Sequence, residues 1–250
     1  MSWVETTSPS FSARHEDRDG DDAVSVLELL EGTRERLAGA FETLPGEVAV
    51  VLHPSVAQVA FAQPPLPIVW ALTAPAGRRY LAGWASAREV HVLAPRLLAA
   101  RASSVAGSRE MLLLTPAALY VQLVLAANNP RLPPPFSPRR FAAYLRWAWL
   151  VAGAAQYFSG QTAYARPAIA RRLREGRSPG FPPPIRDAWL LGGSVLDLLA
   201  AERGDAAAAE LATTLAPGGT TAGLRHAFAG RSVHETEAIW RTHLARMAEP

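Results

Sequence analysis

The side chains best suited to acid–base or metal chemistry near neutral pH are six histidines: His15, His53, His91, His226, His234 and His243. No two lie three or four residues apart, the spacing at which one helix presents two imidazoles to one metal ion. Each therefore reads as a surface or hydrogen-bonded histidine. Cysteine is absent, which excludes disulfides, thiolate nucleophiles and cysteine-held zinc. Asp17, Asp19 and Asp21 alternate, and Glu28 stands at the closing position of a calcium-binding loop. Asp22 occupies the place where such a loop needs its turn glycine, so the run reads as a solvated acidic turn. Ser159 beside Gly160 lacks the nucleophile-elbow pattern. The glycine pairs at Gly192 and Gly218 lack a phosphate-loop lysine. Arg166, Arg171, Arg172, Arg174 and Arg177 could form a basic patch, because Arg171 and Arg174 share a helical face.

The elements that must position these groups fall into two halves. Residues 1–10 are polar and read as a flexible tail, and 11–15 as a short strand. Asp21 or Asp22 can cap a helix running to about residue 44, with Val24, Leu27, Leu30, Leu37 and Phe41 on its buried face. Short β-branched runs predict strands at 47–55, 68–72, 80–84 and 89–93, the last alternating Glu89 and His91 against Val90 and Val92. Beyond residue 94 the pattern is helical. The focal stretches are 110–127, kinked or restarted at Pro116, and a helix capped by Ser137 that runs through Tyr157 to Gly160. Further helices are expected at 167–175 (closed by Gly176), 185–203, 205–215 and 220–228, and Ser232 with Glu235 makes a capping box for the last. The expected organisation is a single domain over 11–250, with an α/β lobe at 11–107 and a helical lobe at 108–250.

A chain of 250 residues that is 49% hydrophobic can bury a large core. Its pI of about 9.8 suggests nucleic acid, but the formal net charge is only +3 and no basic residue is lysine. With arginine as the only strong base, a small surplus carries the pI far upward. The N-terminus has no basic start followed by an apolar run. The apolar stretch 111–127 is interrupted by Pro116 and Gln122, and 147–155 is too short to span a bilayer. A cytoplasmic location without a membrane span is the expectation.

The segments LTPAALYVQLVL and WLVAGAAQYFSG resemble the paired active-site helices of gluzincin (H-E-x-x-H type, peptidase MA-like) metallopeptidases. In such enzymes two histidines of one helix and a glutamate of the next hold zinc, and the glutamate after the first histidine activates water. In this alignment Pro116 and Tyr120 stand at the histidine positions, Ala117 at the general base and Ala152 at the third ligand. Trp149, Leu150, Gly153, Ala155 and Tyr157 keep the framework of the second segment. VVLHPS, LAGWAS and VHVLAP are similar to the family's N-terminal strands, and LLGGSVLDLLAAERGD and HAFAGRSVHETEAIWRTHL to its helical tail, so the resemblance covers most of 11–247.

The resemblance implies an α+β, zincin-like fold with a small N-terminal sheet and a predominantly helical C-terminal lobe. It implies that catalysis and the zinc site are lost, with no cofactor or metal, leaving a binding or scaffold module. A peptide or protein partner would lie in the former cleft against Tyr120, Gln156 and Trp149, along 89–93 as an exposed edge strand. Against this stands a filled cleft in which Tyr120 and Gln156 are core polar groups. The alternatives are an active zinc metallopeptidase with an unusual site, and a nucleic-acid-binding regulator using the Arg166–Arg177 patch.

Overall fold

The computed structural model describes residues 2–132, 138–175 and 178–249. The protein is α+β, with a small mixed sheet and mostly helical structure elsewhere. Strands β1 (Trp3–Thr7), β2 (Phe11–Glu16), β3 (Val48–His53), β4 (Gly83–Ala85) and β5 (Glu89–Leu93) lie in the order β1-β2-β3-β5-β4. β2, β3 and β5 are parallel, while β1 and β4 run antiparallel on the two edges.

Period-two alternation gives this sheet two different faces. Val48, Val50 and Leu52 of β3 and Val90 and Val92 of β5 are fully buried against the helices of the core. The residues between them, Ala49, Val51, His53, Glu89 and His91, point to the other face. On the core side lies α1 (Gly20–Leu37). The connection from β3 to β4 is wholly helical: α2 (Val56–Ala62), α3 (Pro65–Leu72) and α4 (Pro75–Arg78). Of these, α2 packs over β3 and β5 on the outer face.

After β5 come α5 (Pro95–Ala100), α6 (Ser108–Leu113) and α7 (Thr115–Asn128), then α8 (Pro138–Arg146), α9 (Ala148–Phe158) and α10 (Gln161–Tyr164). α7 packs on β4 and β5 from the core side, and α9 packs on α7. The chain continues through α11 (Arg166–Arg174), α12 (Ile185–Arg203), α13 (Asp205–Thr213), α14 (Gly219–Ala227) and α15 (Val233–Met247). One contiguous buried cluster runs from Phe11 to Met247. Among the described residues no helix is long and apolar enough to cross a membrane.

Several elements differ from expectation for identifiable reasons. The expected flexible tail contains β1, paired with β2 from Trp3 opposite Glu16 to Thr7 opposite Ser12. Its side chains are nearly all exposed, so no burial pattern betrays the strand. The segment 68–72 is helical, because Pro65 starts a helix and Leu66 and Val69 bury one helical stripe. The segment 89–93 is not an edge: β4 pairs along its far side. The acidic run is not a solvated turn. It forms a short 3-10 helix, Asp17–Asp19, leading into α1, and buried Asp19 takes Arg96 at 2.7 Å. The helix that follows stops at Leu37 rather than near residue 44. The second focal helix is two helices, broken at Trp147. The cap expected from Ser137, the stop expected from Gly176 and the fifth patch residue Arg177 lie outside the described residues.

Candidate binding site on the outer sheet face

The residues singled out by the resemblance lie on α7 and α9, two helices packed together in the core, but Ala152 and Gln156 face Thr115, Ala118, Leu119 and Gln122 rather than Pro116, Ala117 and Tyr120. Pro116, Ala117, Tyr120 and Ala152 are all buried. α6 ends at Leu113 and α7 restarts at Thr115, so Pro116 sits in the first turn, where a missing N–H costs nothing. Tyr120 is 0% exposed, its ring edge-on to Phe11 at 5.0 Å, and its hydroxyl donates to Pro45 O at 2.8 Å. Burial pushes this phenol up to about 12, so it remains a donor. Gln156 is buried and accepts from the Gly193 N–H at 2.8 Å. Trp149 is buried within the same cluster. The space left beside Ala152 and Gln156 is about 20 Å³, room for about one water and no ligand. The expected cleft is therefore filled, and Tyr120, Gln156 and Trp149 are not presented to a partner.

The basic patch is also smaller than its spacing suggests. Arg172 is buried against Asp187 through paired contacts of 3.0 Å. Arg171 pairs with Glu175 at 3.5 Å.

A large concavity lies on the opposite side of the sheet, with a volume of about 700 Å³. Its floor is made by Val51 and His53 of β3 and His91 of β5. Trp3 and Arg14 form one wall, and Ala57, Gln58 and Phe61 of α2 form the other. Ser55 fixes the start of α2 by accepting from the Gln58 N–H at 3.2 Å. Phe61 is 89% exposed and Trp3 49%, two large apolar side chains held out of the core at the pocket's rim. The size suits a small organic ligand.

Apart from Gln58 on α2, the polar groups of the pocket form a chain that runs out to Glu89. His53 Nε2 lies 3.0 Å from His91 Nδ1, with the two rings stacked. His91 Nε2 lies 3.2 Å from Glu89 Oε2, and Arg14 reaches Glu89 Oε1 at 3.4 Å. Burial, then the neighbouring His91 and Arg14, lowers His53 to about 4. Burial also lowers His91, against the opposing pull of Glu89. Both imidazoles are neutral at pH 7. Among the described residues no group of three histidines or carboxylates is arranged to hold a metal ion.

Sequence reasoning placed His53 and His91 on strands but had no means to join them. The alternation of Glu89 and His91 against Val90 and Val92 was the available signal for a shared face. Trp3 and Phe61 gave none, since one belonged to the supposed tail and the other to a short uncharged helix. The chain matches no family model, no curated protein and no solved structure.

Proposed function

We propose that the chain is a non-catalytic binding protein on a zincin-like frame that lacks the metal ligands, and that its ligand occupies the pocket on the outer sheet face. The carrying observation is the contrast between two spaces: about 20 Å³ between the helices of the frame, and about 700 Å³ between α2 and the sheet. The packing of α7 against α9 and of α7 against the antiparallel edge strand β4 supports the zincin-like part of the reading.

The pocket's chemistry supports binding rather than catalysis. A base as weak as His53, at about 4, draws protons poorly at neutral pH. The hydroxyl nearest in sequence to each histidine is used locally: Ser55, two residues from His53, caps α2, and Ser86, five from His91, donates to Glu89 O. Neither stands as a nucleophile beside His53.

The test uses the neutral apolar dye N-phenyl-1-naphthylamine and a metal assay on the same purified protein. Saturable one-to-one dye binding is expected, and it should be lost in Ala57→Trp. Ala57 is exposed on α2, so the added ring fills the pocket without entering the core. Equal binding by wild type and Ala57→Trp would overturn the pocket. Stoichiometric zinc with peptide hydrolysis would overturn the non-catalytic reading.

A further inference from the structure

We infer that the ligand of this pocket is an uncharged apolar molecule carrying a hydrogen-bond donor, a hydroxyl in the simplest case, which it gives to His53 Nδ1. The inference rests on the binding reading above and adds the ligand's chemical class. It comes from following the hydrogen bonds inward from Glu89. A carboxylate has only lone pairs to offer, so His91 must carry its proton on Nε2, the atom 3.2 Å from Glu89. A neutral imidazole has one N–H, so His91 Nδ1 is then an acceptor. Its partner at 3.0 Å is His53 Nε2, which must be the donor. The remaining nitrogen, His53 Nδ1, is thus left with a lone pair. Among the described residues it has no hydrogen-bond partner, and it is not one of the atoms sealed from solvent. His53 is part of the pocket floor, so the lone pair is offered there.

That lone pair selects among ligands. An anion has only lone pairs to set against this lone pair, and Arg14, the cation of the wall, already reaches Glu89 at 3.4 Å. A cation would face the same Arg14 and a lining that is mostly apolar, with Trp3, Val51, Ala57 and Phe61. A neutral hydroxyl satisfies the nitrogen and leaves the rest of the molecule to the apolar walls. A ligand of the same shape with no donor leaves a desolvated acceptor unpaired, which costs about tenfold or more in affinity.

Three probes of one shape separate the outcomes: 4-propylphenol, 4-propylanisole and 4-propylbenzoate, each displacing the dye at pH 7. The phenol should bind at least about tenfold tighter than the anisole. The preference should collapse in His53→Phe, which keeps ring and shape. It should shrink in Glu89→Ala, which frees the tautomers of both rings. Equal binding of phenol and anisole would overturn the inference and leave the pocket standing. So would tightest binding of the benzoate, or an undiminished phenol preference in Glu89→Ala. Failure of all three probes to displace bound dye would remove the ligand class proposed here, whereas failure of the dye itself removes the pocket. The ¹⁵N shifts of the imidazoles give a readout without ligand or variant. A pyridine-like Nδ1 and a pyrrole-like Nε2 are expected for His53, and the reverse assignment overturns the relay.

Discussion

A neutral imidazole at His53 is a condition of the folded state, and acid is where that condition is felt. The group titrates at its ordinary 6.5 when unfolded and at about 4 when folded. Between those values the unfolded chain binds a proton that the folded chain does not. Stability is therefore full above about pH 6.5, falls as pH drops, and levels off below about 4. The His53 share of the loss between pH 7 and pH 5 is about 2 kcal/mol. His91, lowered by the same burial, acts in the same direction. Urea unfolding at both pH values should show wild type losing more than His53→Phe by roughly that amount; equal losses would mean that the pair is not desolvated. At this scale the sequence was readable in part. His53 and His91 were recognisable as hydrogen-bonding groups on strands, but their partnership depends on a parallel register that sets Val51 opposite His91. Thirty-eight residues separate them along the chain, and no local pattern encodes that distance.

The pairing of α9 with α12 rests on the absence of side chains. A Cβ on Gly153 would stand 2.6 Å from Gly192 O, and one on Gly192 would stand 2.7 Å from Trp149 O. The obstacle on each side is backbone, which cannot move aside as a side chain tip can. Helix propensity favours alanine over glycine by about 1 kcal/mol, whereas overpacking at a close contact costs about 1–3 kcal/mol or more. Gly153→Ala should therefore destabilise on balance and lower Tm by several degrees. Gly39→Ala, with open space around it, should not. Matching melting temperatures for the two variants would show that the helices can part without cost. This contact gives the segment WLVAGAAQY a packing reason for its small residues, independent of any ancestral motif. Elements with local chemistry of their own were legible: the helix 185–203 and the capping box of Ser232 with Glu235 appear as read. The elements missed, β1 and α3, are those in which tertiary context decides. β1 is a strand because β2 supplies a partner, and α3 a helix because one stripe of it is buried.

At the scale of the molecule the sheet works as a partition. One face carries the core, with Tyr120 locked to Phe11 and Pro45, and the other carries the pocket, whose parts come from β1, β2, β3, α2 and β5. The sequence resemblance drew attention to the first side, because a contiguous pair of helices is visible in a linear chain. A pocket assembled from five separate elements is not. The partition implies that stability and binding can be changed separately. Tyr120→Phe deletes the donor to Pro45 O and should cost about 1–2 kcal/mol in stability while leaving dye affinity as it was. Phe61→Ala removes a ring that is 89% exposed in the free protein, so stability should stay within about 0.5 kcal/mol. The same ring becomes buried when ligand covers it, so dye affinity should drop by about tenfold. Unfolding curves and dye titrations on both variants complete the comparison. A Tyr120→Phe protein with weakened dye binding would show that the two faces are coupled through the strands, and the pocket would then have to be treated as part of the core rather than as a separate surface.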